Sequence, residues 1–106
     1  MIDKDKIQEM QLIEQSLQNI LYQKQAFQME LSETRAALEE IKSSGDEVFK
    51  IVGHLMIKTD KEKIKKELLD KEKFLDLRLK SLEKQEKTFS EQLESFRDEI
   101  LKSDKN

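Results

Sequence analysis

The sequence has no cysteine, no proline and no tryptophan, and only two glycines in 106 residues. Without cysteine it can form neither a disulfide scaffold nor a thiolate metal site. With a single histidine, His54, neither a histidine-cluster metal site nor a catalytic triad is expected within one chain. Proline and glycine punctuate turns, so their scarcity leaves room for few of them. No apolar run is long enough to span a bilayer: the longest, Ile51 to Ile57, contains Gly53 and His54. The opening Met-Ile-Asp-Lys-Asp-Lys is no signal peptide, so a soluble cytoplasmic protein is expected.

What is abundant is charge, at 41% of residues, set against 6% aromatics. A chain rich in Lys, Glu, Leu and Gln has the composition of long helices. The formal net charge is −3. It is acidic from Met1 to Ile57, basic from Lys58 to Lys84, and mildly acidic from Gln85 onward. This balance favours neither a nucleic acid nor a membrane surface as partner. The basic stretch alternates Lys61, Lys63, Lys65, Lys66, Lys71 and Lys73 with Glu62, Glu67, Asp70 and Glu72, the pattern of a solvated helix face.

Two segments repeat in heptads. Met10, Leu17, Lys24, Leu31 and Leu38 take position a of the first; Ile13, Ile20, Phe27, Thr34 and Ile41 take position d. In the second, Leu68, Leu75, Leu82, Phe89 and Phe96 form a seven-residue column, with Leu79, Leu93 and Ile100 beside it and Glu72 and Glu86 interrupting. Repeats sustained this long predict coiled coil. The fold expected is therefore dominantly α-helical: a long antiparallel coiled-coil hairpin with one β-hairpin at the bend. The boundaries are helix over 5–43, β-hairpin over 47–58 and helix over 60–103, in a single domain over 1–106. Gly45 is expected to end the first helix in the left-handed conformation, and Thr59 with Glu62 to form a capping box at the start of the second. Each helix would be about 55–65 Å long at 1.5 Å per residue.

The stretch from Val48 to Lys58 loses the helical period and is β-branched, with Gly53 near its middle. Pairing Ile51 with Leu55 would gather Phe49, Ile51, Leu55 and Ile57 on one face and Lys50, Met56 and Lys58 on the other. A two-residue turn would instead put Lys50 among the apolar side chains, so the first register is preferred. One helix register layers Leu38 with Leu68, Leu31 with Leu75, Leu17 with Phe89, Ile13 with Leu93 and Met10 with Phe96. It sets Thr34 beside Glu72, Lys24 beside Leu82 and Ile20 beside Glu86, the charges reaching water. Pattern alone leaves a slip by one heptad open.

No catalytic constellation, phosphate-binding loop, metal site or cofactor site is read from the residues, and an enzyme is not expected. His54 is read as a polar turn residue. Two features call for partners. An apolar two-stranded hairpin with open edges is at best marginally stable alone, so pairing with other subunits is expected; folding back onto its own coiled coil is the alternative. Apolar residues also collect near the chain ends: Ile7, Met10, Leu12 and Ile13 in the first helix, and Leu93, Phe96, Ile100 and Leu101 in the second. A two-helix seam hides only part of these.

Helix, a single hairpin reading Val-Phe-Lys-Ile-Val-Gly-His-Leu-Met-Ile-Lys-Thr-Asp-Lys-Glu over Val48–Glu62, then a helix with Leu-Arg-Leu-Lys-Ser-Leu-Glu-Lys-Gln-Glu over Leu77–Glu86, resembles the β class of the prefoldin family, archaeal members above all. The resemblance covers nearly the whole chain. It implies a heterohexamer of two α-type and four β-type subunits, joined by hairpins into an intersubunit β-barrel. It implies an ATP-independent holdase that grips non-native polypeptides with the coiled-coil tips and passes them to a group II chaperonin. Carried over by position, the assembly residues are Phe49, Ile51, Val52, Leu55, Met56 and Ile57, and the terminal apolar residues above become client contacts. A coiled-coil scaffold that oligomerises without binding clients is the alternative reading.

Overall fold

The computed structural model describes residues 4–104. Helix α1 runs over Lys4–Ser43, strand β1 over Val48–Val52, strand β2 over Leu55–Thr59 and helix α2 over Lys61–Asp104. The expected class, two long helices with a β-hairpin between them, is what the chain adopts. It divides into two compact units, Met1–Ala26 with Leu79–Asn106, and Phe27–Arg78.

In the unit Phe27–Arg78, the core is built from heptad residues: Leu31, Leu38, Ile41 and Leu75 are buried, Leu75 to 1% exposure. Thr34 is buried among them at 3% exposure. Its hydroxyl donates to the Glu30 carbonyl, 2.8 Å away, so the helix itself satisfies this buried hydroxyl. Across the seam Arg35 pairs with Glu72 at 3.2 Å and Lys71 with Glu30 at 3.0 Å. The Arg35–Glu72 pair falls between the expected layers Leu38–Leu68 and Leu31–Leu75, as that register requires. The Arg78 guanidinium lies 5.6 Å from the centre of the Phe27 ring, within cation–π range.

Helix α1 does not end on a left-handed glycine; the positive φ belongs to Gly53, at 62°, and not to Gly45. Serines perform the termination. Ser43 Oγ donates to the Glu40 carbonyl at 3.2 Å and Ser44 Oγ to the Ile41 carbonyl at 2.9 Å. Lys61 Nζ donates to the Ser44 carbonyl at 2.9 Å. These donors satisfy carbonyls that a helix end leaves without partners, which removes the need for a left-handed residue. At the start of α2 the cap also differs by one residue. The Asp60 carbonyl accepts the Ile64 amide at 3.1 Å, making Asp60 the capping position, while Thr59 is still in β2, opposite Val48.

The hairpin register also departs from the expected one. Val52 pairs with Leu55, Ile51 with Met56, Lys50 with Ile57 and Phe49 with Lys58, around the two-residue turn Gly53–His54. Glycine at the first turn position with positive φ, followed by a residue without it, is the type II′ arrangement, whose twist matches that of the strands. Backbone twist outweighs the segregation of side chains. Lys50 therefore shares a face with Val52, Leu55 and Ile57, and its ammonium reaches Glu67 of α2 at 3.4 Å.

In the other unit, Ile20, Leu79, Leu82 and Leu93 are buried. Lys24 and Glu86, expected to send their charges to water separately, meet at 3.1 Å with side chains 17% and 30% exposed. Lys6 and Glu99 pair at 2.7 Å on the surface. The N-terminal turns of α1 thus lie against the C-terminal turns of α2, antiparallel.

Candidate functional site

Two surfaces stand out, one in each unit. The first is the hairpin. Phe49, Ile51, Val52, Leu55, Met56 and Ile57 are all exposed, from 46% at Ile57 to 70% at Ile51. The sheet has only these two strands among the described residues, so each strand keeps one unpaired edge. Alternation puts Phe49, Ile51 and Met56 on one face and Val52, Leu55 and Ile57 on the other. Both faces are therefore apolar. The strands do not fold back to cover themselves on the helices. A groove of about 720 Å³ lies beside β1, with Val48, Phe49 and Ile51 on one wall and Ile41, Ile64 and Leu68 on the other. Glu67 and Lys71 also line it. An unpaired strand edge carrying exposed apolar side chains is a template on which another strand can pair.

The second surface is where the beginning of α1 meets the end of α2. Of the expected terminal residues, Leu12 and Leu101 are exposed, at 63% and 59%. Ile7, Met10, Ile13, Phe96 and Ile100 are half-buried. Leu93 is buried at 8% and belongs to the seam, which withdraws it from the accessible set. Leu12, Ile13 and Phe96 line a single open groove of about 580 Å³, together with Phe89. Leu101 lies outside that lining.

The groove has a simple origin. Phe89 and Phe96 recur seven residues apart, and two serines, Ser16 on α1 and Ser95 on α2, lie beside them in the lining. These are too short to roof two phenylalanine rings. In the sequence Phe89 reads only as a member of the seam column, and Ser16, Gln92 and Ser95 carry no signal of their own. The available signal was a phenylalanine column flanked by short polar residues, legible only once the helix pairing is known.

Among the described residues no group of three or more His, Cys, Asp and Glu could hold a metal ion. No helix among them is long and apolar enough to cross a membrane. Among the described residues no buried side-chain nitrogen or oxygen lacks a partner.

The family model described as "Prefoldin subunit" matches residues 4–103. The chain belongs to the prefoldin subunit family. A prefoldin subunit beta from Thermococcus onnurineus is 44% identical over 89 residues, covering 82% of this chain and 77% of that one. A prefoldin subunit beta from Sulfurisphaera tokodaii is 37% identical over 93 residues, covering 86% and 74%. The crystal structure of the prefoldin beta subunit from Thermococcus strain KS-1 superposes with a TM-score of 0.85 at 38% identity, covering 94% of this chain and 90% of that one. The prefoldin likeness thus embraces both helices and the hairpin.

Proposed function

We propose that this chain is the β-type subunit of a cytoplasmic, ATP-independent holdase. Its hairpin joins strands of an α-type subunit and of other β-type subunits in a β-barrel, in a heterohexamer of two α-type and four β-type chains. The terminal turns of α1 and α2 hold non-native polypeptides, which then pass to a group II chaperonin. The observation that carries this reading is the exposure of six large apolar residues on a two-stranded sheet, in a chain whose relatives are β-class prefoldin subunits. Such a hairpin is too small to be stable alone, so its exposed surface fits an obligate assembly.

The chemistry suits capture without nucleotide. Leu12 and Leu101 offer apolar area to any partner, and the half-buried Ile7, Met10 and Phe96 adapt around it. Each contact is weak, and repetition over several subunits supplies avidity. Release then needs no energy source, because no single contact is tight.

The test is aggregation suppression. An unfolded test protein is diluted from denaturant, without ATP, into the chain assembled with an α-type prefoldin subunit, and light scattering is followed. Suppression at near-stoichiometric complex supports the holdase. Assembly without any suppression supports a scaffold instead.

A further inference from the structure

Resting on the reading of the terminal end as the capture surface, we propose that the groove there selects apolar segments flanked by Lys or Arg. The apolar floor is Leu12, Ile13, Phe89 and Phe96, which recognises large aliphatic and aromatic side chains of any order. Charge enters at the border. Glu9 on α1 and Glu99 on α2 line the same groove from opposite helices, and among the described residues no Lys or Arg does.

The two glutamates occupy equivalent places. Glu9 and Ser16 of α1, and Gln92 and Glu99 of α2, are the heptad positions that face each other along one flank of an antiparallel pair. An ion pair across this flank would close the groove; two carboxylates leave it open and negative. Lys6 reaches Glu99 at 2.7 Å, but both side chains are about half exposed, so that pair exchanges readily with an incoming cation. The surroundings reinforce the sign. From Lys4 to Ser16 and from Phe89 to Lys102 the acidic residues are Asp5, Glu9, Glu14, Glu91, Glu94, Asp98 and Glu99, against Lys4, Lys6, Arg97 and Lys102.

Charge complementarity decides the occupant. A second copy of this groove offers the same carboxylates, Glu9 and Glu99, and no basic lining residue among the described ones, so it would add repulsion without compensating attraction. An apolar segment bordered by acidic residues meets the same repulsion. A segment bordered by basic residues gains attraction at both rims, where apolar burial alone does not discriminate. Non-native polypeptides with such segments would be bound first and released faster at high salt.

The experiment uses the full chain assembled with an α-type prefoldin subunit and two fluorescent peptides. Both have one Leu/Phe-rich core; one is flanked by lysines and the other by glutamates. At low salt the lysine-flanked peptide should bind roughly three- to tenfold tighter, from two exposed charge contacts. The double variant Glu9→Lys, Glu99→Lys should reverse the preference, and 0.5 M salt should erase it. Equal binding of both peptides, with loss of both in Leu12→Asp, would overturn the charge selectivity and leave the capture reading standing. Binding of either peptide that Leu12→Asp does not weaken, or no binding of either while the complex still suppresses aggregation, would overturn the groove as the capture site as well.

Discussion

Replacing Ile51 by Asp tests the assembly surface with little disturbance to the chain itself. Ile51 is 70% exposed, so the folded single chain should lose no more than about 0.5 kcal/mol, as at other surface sites. Assembly is a different matter. The six apolar hairpin residues are each about half to two-thirds exposed. At 1.5–3 kcal/mol for each fully buried side chain, covering them offers roughly 5–11 kcal/mol of gross stabilisation per chain. Ile51 alone contributes about 1–2 kcal/mol of this. A carboxylate in its place also has to be stripped of water without a partner, adding about 2 kcal/mol or more. A combined loss near 4 kcal/mol weakens an interface about a thousandfold. Native mass measurement at micromolar concentration, with an α-type prefoldin subunit present, should show the wild-type complex and only lower-order species for Ile51→Asp. Ile51→Val should assemble normally, and circular dichroism should report the same helix content for all three. A complex of wild-type mass and dissociation midpoint formed by Ile51→Asp would refute this placement of the interface.

Other consequences are local. Leu75, 1% exposed, should cost about 2–5 kcal/mol when cut to alanine, read from chemical denaturation. Gly53→Ala meets no neighbouring atom but must keep a φ of 62°, so it should destabilise the hairpin by about 1 kcal/mol through backbone strain alone, measured as a weaker assembly midpoint. A double-mutant cycle on Lys24 and Glu86 should give a coupling of about 1 kcal/mol that shrinks only partly in high salt, since the pair is less than one-third exposed.

Much of the architecture was legible because heptads repeat. Leu31, Leu38 and Leu75 announce a seam by spacing alone, and the burial of these side chains follows the spacing. The details in which the structure departs from the sequence pattern depend on backbone geometry that composition does not encode. Gly45 and Gly53 are chemically identical; only the turn requires positive φ, because serine hydroxyls and Lys61 already cap the helix end. Side-chain segregation favours the other hairpin register, yet a II′ turn at Gly53–His54 decides it, and Lys50 is accommodated by Glu67. Lys24 and Glu86 look like separate interruptions of two heptads until the helices are paired. For the same reason the groove floor at Phe89 and its short neighbours Ser16 and Ser95 emerge only when both helices are in place. The exposed Leu12 and Leu101 were recognisable earlier, since both lie off the heptad columns.

On the proposed function, capture and assembly rest on different residues, and the most direct test is to remove one without the other. Leu12 and Leu101 are each about 60% exposed, so Leu12→Asp with Leu101→Asp should leave both helices and the hairpin intact. The decisive measurement is aggregation suppression by that double variant, assembled with an α-type subunit and confirmed by native mass. The account predicts a complex of essentially unchanged mass whose suppression of an unfolded test protein falls severalfold. A complex that retains full suppression would contradict it and place client binding away from the terminal turns.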